Sequence, residues 1–311
     1  MADSRWTIDE TLAGERLDKF LAAANRVGSR GRASDALARG RIFVNDQEAS
    51  PADAARRLVA GDRIRFWPDR PGSAKKKTPR AARPGELPIV YEDDALIVVN
   101  KPPGLLAVPL ERQEDAASVQ DELALHLRSK GKRRPLVVHR IDRDTSGLVV
   151  FATRPEAQAR LKDQFRRREP ERVYLAVVYG HPSPPSGSWT DHLVWDQKQL
   201  IQKETHPRDP RAQEARCQYR TVERLRGASL IEVRLITGRR NQIRLQARLH
   251  GHTLVGEARY TYGSEALRPI EFPRQALHAH RLAFRHPLTG QPLSFEAPLP
   301  VDMQGLIRSL R

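Results

Sequence analysis

The stretch from His139 to Ser146, HRIDRDTS, packs polar and charged groups between two apolar runs, PLVV and GLVVFA. A polar loop held between two strands is a rigid support of the kind that carries reacting side chains. Asp142 lies in it between Arg140 and Arg143. Neighbouring positive charge favours an ionised carboxylate and can hold a phosphate, and such a carboxylate can act as nucleophile or base. The same residues also fit a plain turn in which Asp142 and Asp144 pair with the arginines, and composition leaves both readings open. A glycosidase-like acid pair of Asp142 and Asp144 is geometrically unfavourable, because loop carboxylates two positions apart tend to point in different directions.

A second cluster is LITGRRNQIRLQARLHGHTLVGEARY, where Gly238 turns a strand into a basic helical segment. Arg239, Arg240 and Arg244 could bind phosphates or pair with a buried carboxylate such as Asp142; a solvated basic helix face fits equally well. His250 and His252 flank a glycine without a third ligand in register, so no metal site is expected. Tyr174, in ERVYLAVVYG, could stack on an unpaired base, an interaction worth about 1–3 kcal/mol, although a strand tyrosine is more often core. A single cysteine, Cys217, excludes an internal disulfide and any CxxC metal knuckle. There is no GxxxxGK[ST], strand-linked GxGxxG or GxSxG, which removes support for nucleotide hydrolysis, dinucleotide redox and serine hydrolase chemistry.

These groups need elements to hold them. The runs LPIVY, ALIVVNK, RPLVVHR, SGLVVFAT, VYLAVVYG and SLIEVRLITG predict strands. ASVQDELALHLRSK, PEAQARLKDQFRRR and QIRLQARLHGH carry apolar residues at three- and four-residue spacing and predict helices. The expected fold is α+β, a mixed and mainly antiparallel sheet over residues 87–300, preceded by a small α+β module over 13–68. Residues 69–86, rich in proline, glycine and lysine, read as a flexible basic linker. With 311 residues, 39% hydrophobic and 30% charged, the chain can bury a sizeable core. Its formal net charge of +16 points to a polyanionic partner, with nucleic acid foremost. No apolar run approaches the roughly 18–20 residues that span a bilayer, and MADSRWTIDE lacks the apolar segment of a secretory signal. A cytoplasmic protein without membrane contact is expected.

Taken together, these segments resemble the RluA-type family of RNA pseudouridine synthases over about residues 86–300. HRIDRDTSGLVVFA is similar to the family's catalytic segment HR[LI]DxxTSGLxxFA, ERVYLAVV to its K-x-Y-x-A-x-V strand, and TGRRNQIRLQARLHGHTLVGEARY to its TGRxHQIRxHxxxxGHPxxGDxxY segment. IVYEDDALIVVNKPPGLLAVP matches the opening strand pair, with Asn100, Lys101, Pro102 and Gly104 in place. The resemblance implies that Asp142 is the catalytic aspartate, that Arg244 pairs with it and that Tyr174 stacks on the target base. It implies that the glycosidic bond of a uridine is cleaved, the uracil turns and carbon 5 is rejoined to the ribose, with no cofactor or metal. RNA contacts are expected from His139, Arg140, Arg143 and Thr145, with Arg140 holding the base out, and from Arg239, Arg240 and Asn241. Three departures stand out: Asn241 replaces the usual histidine, Leu245-Gln246 replaces valine-histidine, and Glu257 replaces aspartate. Residues 13–68 separately resemble the alpha-L RNA-binding module of a ribosomal small-subunit protein, through RLDKFLA, SRGRASDAL, GRIFVND and AGDRI. Arg30, Arg32, Arg39 and Arg41 are the expected contacts there. The expected partner is RNA, large-subunit ribosomal RNA in preference to transfer RNA, bound by a monomer. The rival reading is a non-catalytic RNA-binding or ribosome-assembly factor on the same fold, whose mark would be a damaged catalytic triad; here the triad is intact.

Overall fold

A computed structural model describes residues 4–38, 40–68, 87–109, 117–128, 133–261 and 270–311. The chain divides into two units, Met1–Lys75 and Lys76–Arg311.

The first unit holds β1 (Ser4–Thr7), α1 (Leu17–Ala22), α2 (Arg30–Ala38), β2 (Ile42–Val44), β3 (Gln47–Glu48) and β4 (Arg63–Phe66). Its four-stranded sheet runs in the order β1-β4-β2-β3. Leu17, Phe20 and Leu21 recur at three- and four-residue spacing and so share one face of α1. They pack with Ala33, Ala36 and Leu37 of α2 and with the inward residues Ile42, Val44, Ile64 and Phe66 of the strands. Asn45 and Asp46 close the β2–β3 hairpin with φ of 52° and 65°, the backbone that a two-residue turn requires and that asparagine and aspartate tolerate. Strand β1 precedes the two helices and pairs with distant β4; four residues of weak alternation carry no local sign of that pairing.

The second unit follows as β5 (Ile89–Glu92), β6 (Leu96–Lys101), α3 (Val119–Arg128), β7 (Leu136–Val137), β8 (Ser146–Ala152), α4 (Pro155–Arg166), β9 (Glu171–Tyr179), β10 (Ser186–Asp196), β11 (Ile201–Glu204), β12 (Gln213–Leu225), β13 (Ala228–Leu235), α5 (Gln242–Leu249), β14 (Leu277–Arg285), β15 (Pro292–Glu296) and α6 (Val301–Leu310). Its sheet runs β11-β10-β12-β13-β9-β14-β8-β6-β5, with β15 on β14 and β7 on β8. Among the strand pairings of the described residues, β14 with β8 alone is parallel. Side chains alternate across the strands, so the two faces have separate cores. Ile97, Val99, Val149 and Phe151 face α3 and α5 through Leu123, Leu127, Ile243 and Ala247, while Val98, Leu148 and Val150 face α4 through Ala157 and Leu161. Leu175 and Val177 of β9 meet Met303, Leu306 and Ile307 of α6. Helices on both faces leave the central strands buried, which is why β6 and β8 read as continuous apolar runs. The mixed, mainly antiparallel α+β fold expected from the sequence is the one observed. No described helix is long and apolar enough to cross a membrane.

Two features fix the turn between β7 and β8. Gly147 has φ of 113°, and a Cβ there would lie 2.3 Å from the Ala279 carbonyl oxygen across the parallel pairing; only glycine lets the two backbones approach this closely. Lys101, at the end of β6 and fully buried, donates from Nζ to the carbonyls of Pro102 at 2.8 Å, Leu105 at 2.8 Å and Arg143 at 2.6 Å. One ammonium thus ties the loop after β6 to the turn that carries Asp142, and burial pulls its pKa down to about 7.

Candidate active site

Asp142 sits in the turn before β8 with its side chain 27% exposed. Its Oδ2 accepts hydrogen bonds from Asn241 Nδ2 at 2.8 Å and Arg244 Nη1 at 3.3 Å, whereas no described residue donates to Oδ1. One oxygen is held, and Asp142 lines a pocket of about 60 Å³ together with Arg140, Ile141, Thr145, Tyr174, Leu235, Arg239, Asn241, Gln242, Ile243, Arg244 and Leu277.

Arg244 projects from α5 and is nearly buried, yet Asp142 is its weaker partner. Its Nε and Nη2 donate to the Glu257 carboxylate at 2.7 and 2.6 Å, a two-pronged pair with a side chain that has no solvent exposure. The Glu257 Oε1 also accepts from the backbone amides of Arg259 at 2.8 Å and Tyr260 at 3.2 Å. Burial works against the charge on Arg244, but Glu257 and Asp142 more than offset it and hold its pKa above the usual arginine value. The sequence noted Glu257 only as a departure; its role in fixing the arginine became visible once the fold joined positions thirteen residues apart. Asn241 stands just before α5 with φ of 51°, a left-handed conformation that asparagine tolerates better than most residues, and its side chain makes no bond to the helix end but donates to Asp142.

Tyr174 belongs to the core and to the pocket at once, 8% exposed in β9. Burial pushes its hydroxyl up to about 12, so it stays protonated at neutral pH. Arg140 is exposed at the pocket rim. Thr145 is buried in the pocket wall and accepts a bond from Gln275 Nε2 at 3.3 Å. Arg239 donates from Nε to the Glu214 carbonyl at 3.0 Å, and Arg240 lies with its guanidinium carbon 4.0 Å from the Trp195 ring centre.

Other expected residues lie elsewhere. Arg143 points outward, 63% exposed, and pairs with Asp144 at 3.1 Å. Asp144 is not in the pocket lining, so the two aspartates do not form a facing pair. His139 stacks on Phe165 at 4.6 Å and accepts a bond from the Val150 amide through Nε2. Burial pushes its pKa down to about 3, and this neutral, engaged ring supplies no positive charge for RNA. His250 and His252 bond to Asp191 and to the Tyr179 carbonyl, and among the described residues no group of three potential metal ligands occurs. In the first unit, Arg30 and Arg32 are exposed on the first turn of α2 and Arg41 is half-buried before β2; Arg39 lies outside the described residues.

Comparison with known proteins adds to this geometry. A family model described as RNA pseudouridylate synthase matches residues 95–249. A ribosomal large subunit pseudouridine synthase D of Zymomonas mobilis is 37% identical, the alignment covering 100% of this chain and 98% of that protein. An uncharacterized RNA pseudouridine synthase of Bacillus subtilis is 35% identical over 98% of this chain and 97% of its own. Among solved structures, human RNA pseudouridylate synthase domain containing 4 superposes with a TM-score of 0.59 at 21% identity, covering 72% of this chain and 92% of that one, a likeness of fold.

Proposed function

The chain belongs to the RluA-type family of RNA pseudouridine synthases, and from that premise we propose that it isomerises selected uridines of large-subunit ribosomal RNA, with Asp142 as the carboxylate that acts on the target nucleotide. The observation that carries the site assignment is the asymmetry of Asp142, a pocket-lining residue: Oδ2 is fixed by Asn241 and Arg244, and Oδ1 has no donor among the described residues. Fixing one oxygen restricts the carboxylate's rotation while leaving the other to react, which is how positioning lowers a barrier.

The reaction balances within the substrate. The bond from N1 to the ribose breaks, a bond from C5 to the same ribose carbon forms, C5 loses a proton and N1 gains one, so no oxidant or reductant is consumed. A base inside a stack cannot reach Asp142; extruding it costs a few kcal/mol, which stacking on Tyr174 and phosphate contacts from Arg140, Arg239 and Arg240 offset. The preference for large-subunit ribosomal RNA over transfer RNA rests on the names of the similar proteins and on the first unit, whose exposed Arg30 and Arg32 suit a second contact to a large RNA. We place residues 13–68 as the RNA-binding module, 69–86 as the tether and 87–300 as the catalytic domain of a cytoplasmic monomer.

The test is incubation of the purified chain with unmodified ribosomal and transfer RNA transcripts, with pseudouridine mapped at nucleotide resolution. Pseudouridine at defined positions of the large-subunit transcript, absent with Asp142→Asn, is the expected result. Modification that persists in Asp142→Asn removes the assignment, and tight binding with no modification of any RNA returns the chain to the assembly-factor reading.

A further inference from the structure

A second concavity opens beside the Asp142 pocket and shares Arg140, Tyr174, Leu235 and Arg239 with it. This groove has a volume of about 570 Å³, and its lining includes five arginines, Arg140, Arg166, Arg168, Arg172 and Arg239, with no carboxylate. Arg166 is already paired with Asp163, and Arg239 spends its Nε on a backbone carbonyl. Arg168 and Arg172 form no ion pair among the described residues. Arg172 is the telling member: its Nε is buried and has no hydrogen-bond partner, although buried polar groups are almost always satisfied. Its guanidinium carbon lies 5.7 Å from the Phe165 ring centre, and its Nη1 occupies the space over Gly238, where a Cβ would come within 2.4 Å. Burial lowers the pKa of Arg172 and of Arg239, and the nearby charge of Arg168 lowers both further, as expected for clustered cations without a counterion.

We propose that Arg168, Arg172 and Arg239 form a phosphate-binding site, which takes a backbone phosphate of the RNA flanking the nucleotide in the Asp142 pocket. The inference rests on the RNA-modifying reading above and deepens it by placing the substrate strand. A phosphodiester supplies the missing negative charge and acceptor oxygens that planar guanidinium groups match well. Because the groove opens from the pocket across Tyr174 and Arg239, a strand whose base enters the pocket has its neighbouring phosphate at this cluster. Gly238 serves the site by leaving room for Arg172.

Three variants, Arg172→Gln, Arg168→Gln and Gly238→Ala, test the site on the transcript that the wild-type chain modifies. The first two are expected to reduce the slope of log affinity against log salt by about one each and to raise KM about tenfold, more than kcat falls. Gly238→Ala keeps every charge but displaces a flexible guanidinium, and is expected to raise KM with thermal unfolding near wild type. An unchanged salt slope in Arg172→Gln overturns the proposal, whatever its melting temperature. Inorganic phosphate that protects the wild type but not Arg172→Gln from heat, together with an unchanged slope for RNA, also overturns it and assigns the cluster to a free anion. If the wild type modifies no RNA yet loses salt slope in binding when Arg172 is replaced, the enzymatic reading fails and the phosphate site stands.

Discussion

Replacing Glu257 by glutamine removes one charge and almost no volume, so it isolates what holds Arg244. The carboxylate is fully buried and takes two bonds from the guanidinium at 2.7 and 2.6 Å. Breaking a buried ion pair from one side costs about 3–5 kcal/mol, because the other charge is stranded. Glutamine keeps one acceptor oxygen and Asp142 remains 3.3 Å from Nη1, which places the loss near the lower end, about 3 kcal/mol. For a unit the size of Lys76–Arg311, about 2–4 °C is lost per kcal/mol, so Tm should fall by about 6–12 °C. Turnover should fall by about ten- to a hundredfold, since even a 1 Å misplacement of a positioned group is that costly. Glu232→Gln is the control: its pairing with Arg220 at 3.0 Å sits against a 60% exposed arginine, and pairs of that kind contribute about 0–1 kcal/mol. Thermal unfolding and single-turnover pseudouridine formation read both quantities. A double replacement, Glu257→Gln with Arg244→Met, should recover stability relative to Glu257→Gln alone, because the buried guanidinium is gone and the Asp142 carboxylate that remains is part-exposed and still bonded by Asn241. Unfolding of Glu257→Gln within about 2 °C of wild type, with full turnover, would show that Arg244 is held by something other than this pair.

Acid should destabilise the second unit through two neutral histidines. His278 donates from Nε2 to the Ala297 carbonyl and accepts at Nδ1 from Ser146, and burial pushes its pKa down to about 4; His139 falls to about 3. Both lie below the unfolded value of about 6.5, so the unfolded chain binds more protons and stability drops as pH falls from about 6.5 toward 4. Urea unfolding at several pH values in that window should show a shallower loss in His278→Asn than in wild type, and parallel curves would remove this contribution. Gly147→Ala should cost about 2 kcal/mol or more through its positive φ and the clash with the Ala279 carbonyl, seen as a lower urea midpoint; an unchanged midpoint would mean that β14 and β8 separate freely. Asn241→Ala removes the 2.8 Å bond to Asp142 and should lower kcat about tenfold with KM little changed, whereas unchanged kcat would remove Asn241 from the positioning of Asp142.

What could be read in advance depended on whether an element reports its own burial. Strands β6, β8, β9 and β13 are buried on both faces and announce themselves as runs of valine, isoleucine and leucine. Strands β10 and β12 were not anticipated, because one face is wet: QEARCQYRTVERL alternates, but its inward positions include the modest Ala215, Cys217 and Tyr219 between charged neighbours. Strand β14, LHAHRLAFR, hides similarly behind two histidines and two arginines. The site shows the same division. Asp142, Tyr174 and Arg244 stood out through motif resemblance, which reports residue types at fixed spacing, and the fold brings all three to one pocket. The residues that orient them did not stand out, because their function is made by long-range juxtaposition. Lys101 matches the family's opening strand pair, but the match gives it no role until it is found buried among three carbonyls. Arg172 reads as one more basic residue until its Nε is enclosed without a partner. Glu257 reads as a substitution for aspartate until Arg244 is found in its grip. In a chain with a net charge of +16, most cations carry little information by count; those that matter are the ones the fold has desolvated, and each of these is either satisfied by an internal acceptor or left waiting for an external one. Arg244 and Lys101 are of the first kind, and their bonds to internal acceptors hold the turn and side chain of Asp142 in place. Arg172 is of the second, and in the site proposed above the strand of RNA that completes it also presents its base to Asp142.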